Sequence, residues 1–173
     1  MRSVDMDNNM PKRKPMRRSG FDYNSVGAYF LTICTEKRRC VLSRVVGTGV
    51  LDCPKVKLTQ YGQIAEKYIS QIGEFYEHLN VVKYVIMPNH IHMILIVSEK
   101  GQSRTPVPTY ANSAVSRFVS TFKRFTNKEY GANIWQGRFY DHIIRSKEDY
   151  EEHLKYIHEN PMRWYYDELY AYE

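Results

Sequence analysis

Four short segments of the chain are rich in β-branched and aromatic residues or are apolar throughout, which is typical of strands. The first segment, residues 27–34 (GAYFLTIC), ends in a charged turn at residues 36–39. The other three are residues 81–87, 90–97 and 138–144. Only Pro88 and Asn89 separate the second segment from the third, which predicts a tight turn between two strands.

Three other segments repeat their apolar residues at intervals of three and four, as a helix with one buried face does. The first follows Thr59, a residue type that caps helices, and the second runs from about residue 109 to 130 with Gly131 as its stop. The third covers residues 147–160. The expected core residues are Ile64, Tyr68, Ile72, Phe75 and Leu79 in the first, Val115, Phe118, Val119, Phe122 and Phe125 in the second, and Tyr150, Leu154, Ile157 and Pro161 in the third.

The elements follow one another as β-α-β-β-α-β-α, with residues 40–58 as a hairpin-like insertion. This order predicts an α+β fold, a ferredoxin-like or RNA-recognition-motif-like antiparallel sheet with helices packed on it. A length of 173 residues suits one domain with one core. We therefore expect residues 20–173 to form a single domain and residues 1–19 to form a basic flexible arm.

A formal net charge of +6 and an aromatic content of 14%, with 15 tyrosines, favour a nucleic-acid partner. Cationic side chains meet phosphates and rings stack on unpaired bases, although a solvated basic surface would carry the same charge. The candidate DNA contacts lie in the arm, on the second helix and around the fourth strand: Lys12, Arg13, Lys14, Arg117, Lys123, Arg124, Lys128, Trp135, Arg138 and Arg145, with the rings of Phe139 and Tyr140 beside them. The alternative is that these rings are core residues and these cations are exposed surface charges.

The cysteines Cys34, Cys40 and Cys53 are odd in number and include no C-x-x-C pair. They fit neither a disulfide framework nor a zinc knuckle, which favours reduced thiols in a cytoplasmic protein. The N-terminal residues have no apolar segment typical of a secretory signal. The longest apolar stretch, residues 81–97, is broken by polar residues and is too short to predict a membrane span.

His90, Ile91 and His92 open the third predicted strand. Because strand side chains alternate, both imidazoles project from one face with their Cα atoms ~6.5 Å apart, while Ile91 enters the opposite layer. Two rings at this spacing can converge on one metal ion. Two hydrogen-bonded or hydrated histidines at a strand end would give the same pattern, so the motif alone leaves both interpretations open.

Tyr156 and Asn160 lie four residues apart on the last predicted helix and stack on one face, next to the apolar stripe. Asp149 and His153 lie beside them. A phenol and an amide oxygen one turn apart can reach a metal ion held on the sheet. By spacing alone, Tyr156 is equally an ordinary half-buried aromatic residue.

Three segments together resemble the HUH (His-hydrophobic-His) single-tyrosine transposases, in the branch of REP-associated tyrosine transposases. Residues 84–97, YVIMPNHIHMILIV, resemble the HUH strand of that family. Residues 134–164, IWQGRFYDHIIRSKEDYEEHLKYIHENPMRW, are similar to the C-terminal signature of the branch, and residues 20–40, GFDYNSVGAYFLTICTEKRRC, to its first strand. The resemblance covers most of residues 20–164, and nothing beyond Trp164 is carried over from it.

The resemblance implies a transposase that cuts and rejoins single-stranded DNA next to hairpins through a 5′-phosphotyrosine intermediate. It assigns Tyr156 as the nucleophile and His90, His92 and Asn160 as ligands of Mg²⁺ or Mn²⁺; relatives often carry Gln at the last position. Because a phenol with a pKa near 10 is rarely ionised at neutral pH, some activation is required, and His153 is a candidate general base by position. The partner would be single-stranded or hairpin DNA, bound by a monomer or a homodimer.

Other classes of function share parts of this pattern. A domesticated relative that binds hairpin DNA without cutting it is the main alternative, and a non-catalytic nucleic-acid-binding module has the same sheet plan. Replication initiators and relaxases carry the HUH pair but usually in longer chains. A metal phosphohydrolase would need more carboxylates than Asp141 and Asp149 near the site.

Overall fold

The computed structural model describes residues 26–47, 54–99 and 113–170. Its elements, in chain order, are β1 (Gly27–Cys34), β2 (Ser43–Val46), β3 (Lys55–Leu58), α1 (Gln60–Ser70), α2 (Ile72–Phe75), β4 (Leu79–Ile86), β5 (His90–Val97), α3 (Ala114–Tyr130), β6 (Tyr140–Ile144) and α4 (Lys147–Glu159). Single turns of 3₁₀ helix follow β1 at Glu36–Arg38 and α4 at Trp164–Tyr166. The predicted arm, Cys53 and the start of the second predicted helix at Thr109 lie outside the described residues.

The main sheet has four strands in the order β4-β5-β1-β6, and every neighbouring pair is antiparallel. β1 and β5 are the two central strands. Their register places Cys34 opposite His90 and Thr32 opposite His92. The prediction of an α+β fold with an antiparallel, ferredoxin-like sheet is confirmed.

Helices cover both faces of this sheet. Ile91, Met93 and Leu95 of β5 enter a core cluster together with buried residues of α1 and α3. On the opposite face, Ile94 packs with Ile157 of α4 in a second cluster. Because strand residues alternate between faces, His92 shares the α4 face with Ile94, and Ile91 lies in the other layer as predicted.

The helix boundaries follow local capping chemistry. Thr59 accepts a hydrogen bond from the backbone N–H of Gly62 and caps α1, as expected. Ser113 and Ser146 cap α3 and α4 in the same way. Gly131 ends α3 with φ 71°, the left-handed conformation that glycine adopts without steric cost.

The first predicted helix is wrong in its length and only partly right in its buried residues, since Ile72 and Leu79 lie in the main core as predicted. α1 ends at Ser70, and its buried residues are Gly62, Ala65 and Ile69 rather than the predicted Ile64 and Tyr68, which are half-buried. Phe75 is 58% exposed at the end of the separate short helix α2. Leu79, predicted as helical, begins β4. This segment carries two apolar stripes on neighbouring helix faces, one with Ile64 and Tyr68 and one with Ala65 and Ile69. Only packing against the sheet decides which of the two is buried.

The predicted insertion contains an antiparallel strand pair, since β2 and β3 form a separate two-stranded sheet. Its connecting residues 48–53 are outside the described ranges. Cys34 and Cys40 are both half-buried. Within the described part of the chain, none of the helices is both long enough and apolar enough to span a bilayer.

Candidate metal centre and active-site tyrosine

His90 and His92 lie side by side in the layer between the sheet and the C-terminal residues. Both residues are buried, and their ring centroids are 4.4 Å apart. This is the geometry that alternation along β5 predicts. It brings two imidazoles together on one face of a central strand.

Asn89 determines which nitrogen of His90 carries the proton. The amide nitrogen of Asn89 donates to the carbonyl oxygens of Leu169 (2.7 Å) and Arg38 (3.3 Å), so that its oxygen is the atom 2.8 Å from His90 Nδ1. An amide oxygen only accepts hydrogen bonds, and His90 Nδ1 must therefore be the donor. The lone pair of a neutral His90 is consequently on Nε2.

Three buried ligand-type atoms of this layer have no hydrogen-bond partner among the described residues: His90 Nε2, His92 Nε2 and Asn160 Oδ1. Asn160 lies close enough to His90 to act on its pKa. His92 Nδ1 is occupied by the Thr32 hydroxyl at 2.8 Å. Asn160 uses its amide nitrogen to donate to an Asp167 carboxylate oxygen at 3.0 Å. Buried polar atoms without partners are unfavourable, and each of these three is the atom with which its side chain would bind a metal ion.

The electrostatics of the two imidazoles also suit a metal ion. Burial lowers the pKa of His90 to about 4, against the opposing effects of the Asp167 carboxylate and the Asn160 amide. Burial and the neighbouring His90 and His153 hold the pKa of His92 well below its usual value. Both rings are therefore neutral at physiological pH, which is the state that coordinates metals. The residues present thus fit a divalent cation.

Tyr156 extends from α4 to the edge of this cluster. Its side chain is 41% exposed, and its ring packs edge-on against His92 at 5.1 Å and Phe30 at 5.9 Å. Tyr156 and His92 line the same open pocket as His153 and Tyr140. Burial and the carboxylates of Asp167 and Glu168 raise the pKa of the Tyr156 phenol, although a hydrogen bond from Asn160 opposes the shift. By itself, this environment leaves Tyr156 protonated.

His153 is held in one orientation by Asp149. Its Nδ1 lies 2.8 Å from the backbone carbonyl oxygen of Asp149 and 3.1 Å from the carboxylate. A carbonyl oxygen only accepts, so Nδ1 carries a proton and the lone pair of neutral His153 is on Nε2. His142 stacks on His153 at 4.8 Å and is bonded to the Asp149 carboxylate at 3.0 Å. Two histidines therefore share one carboxylate beside the pocket of Tyr156.

The candidate DNA contacts fall into different parts of the molecule. Arg138 and Arg145 are exposed and flank β6 in the sequence. Tyr140 is 48% exposed within the pocket lining, where a ring is accessible to a base. The exposed cations Arg117, Arg124 and Lys128 are on α3, which packs on the opposite face of the sheet from Tyr156. Lys12, Arg13 and Lys14 lie outside the described residues.

Two of these candidates have structural roles. Trp135 is only 2% exposed, packs against Phe122 in the main core, and donates through its indole nitrogen to Thr126 at 2.8 Å. The prediction that its ring stacks on a base is therefore wrong, because no face of it reaches solvent. Lys123 donates to the carbonyl oxygens of Gln136 and Arg138 and so ties α3 to the segment before β6.

Sequence reasoning missed several residues of the site. Asp167 lies beyond the segment that carried the resemblance, and only the fold brings its carboxylate to within 4.8 Å of the histidine nitrogens. Thr32 and Asn89 hold the outer nitrogens of the two histidines. The position of Asn89 directly before His90 was a usable signal, since metal-binding histidines commonly have such a hydrogen-bond acceptor nearby.

Comparison with known proteins places the chain in a family. Residues 25–160 match the family described as "Transposase IS200 like". An uncharacterised protein of Haemophilus influenzae is 29% identical over 92% of this chain and 93% of its own length. A REP-associated tyrosine transposase of Escherichia coli is 28% identical over 82% of this chain and 70% of its own length.

A solved structure has the same fold. It is a REP-associated tyrosine transposase bound to a REP hairpin, with a TM-score of 0.59, 23% identity, and coverage of 85% of this chain and 72% of that one. At this identity the likeness supports the fold alone, whereas the family match spans β1 to the end of α4 and includes every residue of the histidine, asparagine and tyrosine cluster. The chain therefore belongs to the IS200-like transposase family and is similar, within it, to the REP-associated tyrosine transposases.

Proposed function

We propose that this protein cuts and rejoins single-stranded DNA next to a hairpin, with Tyr156 as the nucleophile and a divalent metal ion held by His90, His92 and Asn160. The observation that carries the proposal is the cluster of three buried, unpaired ligand atoms beside an accessible phenol. A purely structural site would pair those atoms with other protein groups.

The reaction is a transfer of the phosphoryl group in two symmetrical steps. The Tyr156 oxygen forms a bond to phosphorus while the bond from phosphorus to the 3′ oxygen breaks. The leaving oxygen takes a proton from water in the open pocket, which leaves a 5′-phosphotyrosine and a free 3′-hydroxyl. In the reverse direction, a 3′-hydroxyl gives its proton to water as it attacks the phosphotyrosine, and the phenol is released. Because the phosphodiester bond is exchanged rather than hydrolysed, rejoining needs no external energy source.

The metal site supplies charge where the reaction needs it. A divalent ion, Mg²⁺ or Mn²⁺, held by His90, His92 and Asn160 would supply positive charge to polarise a phosphate oxygen and stabilise the leaving oxygen. Two neutral imidazoles and an amide oxygen form such a site without a strong preference for one metal. The Asn160 amide also partly opposes the rise in the pKa of the Tyr156 phenol.

The proton of Tyr156 needs an acceptor, since burial raises the pKa of this phenol. His153 is the proposed general base. Its Nδ1–H is held by Asp149, and its Nε2 is left to accept the proton from a phenol that lines the same pocket. The same nitrogen would return that proton to the phenol when the DNA is rejoined.

The proposed substrate is an unpaired strand because of where Tyr156 lies. The phenol is partly recessed between Phe30, His92 and the pocket wall, and an in-line phosphate must bend into that pocket. Exposed Tyr140 at the same pocket offers a ring for an unstacked base. A relative in this family has been solved with a REP hairpin, which supports a hairpin as the structural part of the substrate.

The test is to incubate the purified chain with Mn²⁺ and labelled oligonucleotides that place an unpaired strand beside a short hairpin. A protein–DNA adduct that survives denaturation is expected with this substrate, and none with the same sequence inside a continuous duplex. Controls at several salt concentrations are required. For any basic protein that binds a single strand, the logarithm of the affinity falls with the logarithm of the salt concentration, with a slope of roughly −0.7 per phosphate contact.

The other outcomes are equally informative. Equal cutting of duplex would contradict the proposed preference for unpaired DNA. Tight binding of hairpins without cutting, in either metal, would identify the protein as a non-catalytic hairpin-binding member of the family.

A further inference from the structure

The residues that follow α4 fold back over the metal-binding cluster. Arg38 donates to the carbonyl oxygen of Glu168 at 3.0 Å, and Asn89 donates to that of Leu169 at 2.7 Å. Trp164 is buried, with its ring 5.9 Å from His90. These contacts tie the C-terminal segment to the turns after β1 and β4, and they hold residue 167 at the site.

Among the described residues, Asp167 is the one whose carboxylate lies close to both His90 and His92. Its ligand oxygen and one nitrogen each of His90 and His92 all lie within 4.8 Å of one another. An ion with bonds of ~2.1 Å has adjacent ligand atoms ~3.0 Å apart and opposite ones ~4.2 Å apart, so these three atoms need to close in only slightly further to share one ion. Asp167 also accepts a hydrogen bond from Asn160, the third proposed ligand.

The carboxylate has the capacity for a metal bond in addition to its present contacts. Oδ2 accepts from the Asn160 amide at 3.0 Å and Oδ1 accepts from the backbone N–H of Leu169 at 2.7 Å. Each carboxylate oxygen has two lone pairs, so one remains on each. A structural account also exists, because the Leu169 bond closes a common type of Asx turn. That account does not explain why the turn is placed against two unpaired imidazole nitrogens.

We propose that Asp167 is a fourth protein ligand of the metal ion, completing a site with two imidazole nitrogens, one amide oxygen and one carboxylate oxygen. The proposal rests on the proposed function, from which the other three ligands come. A carboxylate adds a negative charge and a second hard oxygen to the site, which favours Mn²⁺ or Mg²⁺ over softer ions. With Asp167 as a ligand, the segment after α4 contributes directly to the metal site.

The test measures metal binding by the full chain without DNA. Mn²⁺ affinity is determined by electron paramagnetic resonance, and the number of water molecules on the bound ion by water-proton relaxation. Asp167→Ala and Asp167→Asn are compared with the wild type, and circular dichroism verifies that both fold. Glu168→Gln is the matched control, because it removes the same charge one residue away and leaves the backbone contact of Glu168 with Arg38 in place.

Asp167→Ala is expected to weaken Mn²⁺ binding by about tenfold or more and to add one water to the bound ion. Asp167→Asn should also weaken binding, since an amide is the poorer ligand, and Glu168→Gln should bind like the wild type. Unchanged or tighter binding in Asp167→Ala overturns the proposal. Weaker binding with an unchanged number of waters also overturns it, because Asp167 would then only orient Asn160.

Failure of the proposed function has a different signature. One such result is that the wild type binds no Mn²⁺, and another is that His90→Ala and His92→Ala bind it as well as the wild type does. Either result would disprove the proposed metal centre and, with it, the assignment of Asp167 as a ligand. If the two histidine variants lose binding and Asp167→Ala does not, only the fourth ligand is wrong.

Discussion

Asn160 donates from its amide nitrogen to Asp167, seven residues later, at a distance of 3.0 Å. The two ends of an amide differ, so this bond determines that the oxygen of Asn160 is the end left buried without a partner. Asn89 does the equivalent for His90, because its oxygen leaves Nε2 as the free nitrogen of that ring. The site is thus arranged by the residues around the proposed ligands as well as by the proposed ligands themselves.

Replacement of Tyr156, the proposed nucleophile, should separate DNA binding from DNA cleavage. Tyr156→Phe is expected to abolish the covalent DNA adduct and to leave hairpin binding within about twofold of the wild type, because the ring contacts with Phe30 and His92 persist. Denaturing gel analysis measures the adduct and fluorescence anisotropy measures binding. Tyr140→Phe is the matched control, since its phenol lines the same pocket and should not be required. An adduct in Tyr156→Phe would point to Tyr140 or Tyr150.

Removal of the metal ion should stop cleavage reversibly. A chelator is expected to suppress adduct formation, and added Mn²⁺ to restore it. His90→Ala and His92→Ala should each reduce cleavage by at least about tenfold, and Asn160→Ala by less, because an amide is the weakest of the three ligands. Initial rates at several Mn²⁺ concentrations measure this order. Mn²⁺-dependent cleavage that survives the loss of both histidines would disprove the assignment.

The rate of adduct formation should depend on His153, the proposed general base, and to a smaller extent on Asp149, which orients it. His153→Ala is expected to slow adduct formation by about 10²-fold or more, which is the usual contribution of a general base, with little change in DNA binding. Asp149→Asn should give a smaller loss, because it weakens the contact to His153 Nδ1 and leaves the backbone carbonyl contact in place. His158→Gln, an exposed histidine on the same helix, serves as the control. Equal single-turnover rates for His153→Ala and the wild type would remove His153 from the mechanism.

One glycine is predicted to be required for stability rather than chemistry. A Cβ atom at Gly62 would clash with the backbone carbonyl oxygen of Leu42, which already accepts from the backbone N–H of Thr59 at 3.0 Å. Gly62→Ala should therefore lower the free energy of unfolding by about 1–3 kcal/mol, as measured by denaturant titration. Gly73→Ala meets nothing within 4 Å and should change stability by less than about 1 kcal/mol in either direction. Equal stability of the two variants would contradict this close approach.

Local patterns were sufficient for much of the architecture. The period of two along residues 90–97 placed both histidines on one face and Ile91 on the other, because alternation is a property of any strand. The spacing of four placed Tyr156 and Asn160 on one side of α4, and the caps Thr59 and Gly131 marked helix ends correctly. These features depend on neighbours within a few residues, which is why the sequence predicts them.

Contacts between distant segments decided the rest. Whether Ile64 or Ala65 faces the core depends on the angle at which α1 meets the sheet, and Trp135 is buried because the segment before β6 folds under α3. Asp167 reaches His90 only after the chain has turned back beyond α4 and been held by Arg38 and Asn89. Periodicity carries no information about which faces meet or where a loop returns, since those are set by packing energies between residues far apart in the chain. The sequence by itself therefore determined the strand and helix that carry the candidate ligands and the tyrosine, and only the tertiary structure decided which atoms are left free to bind a metal ion.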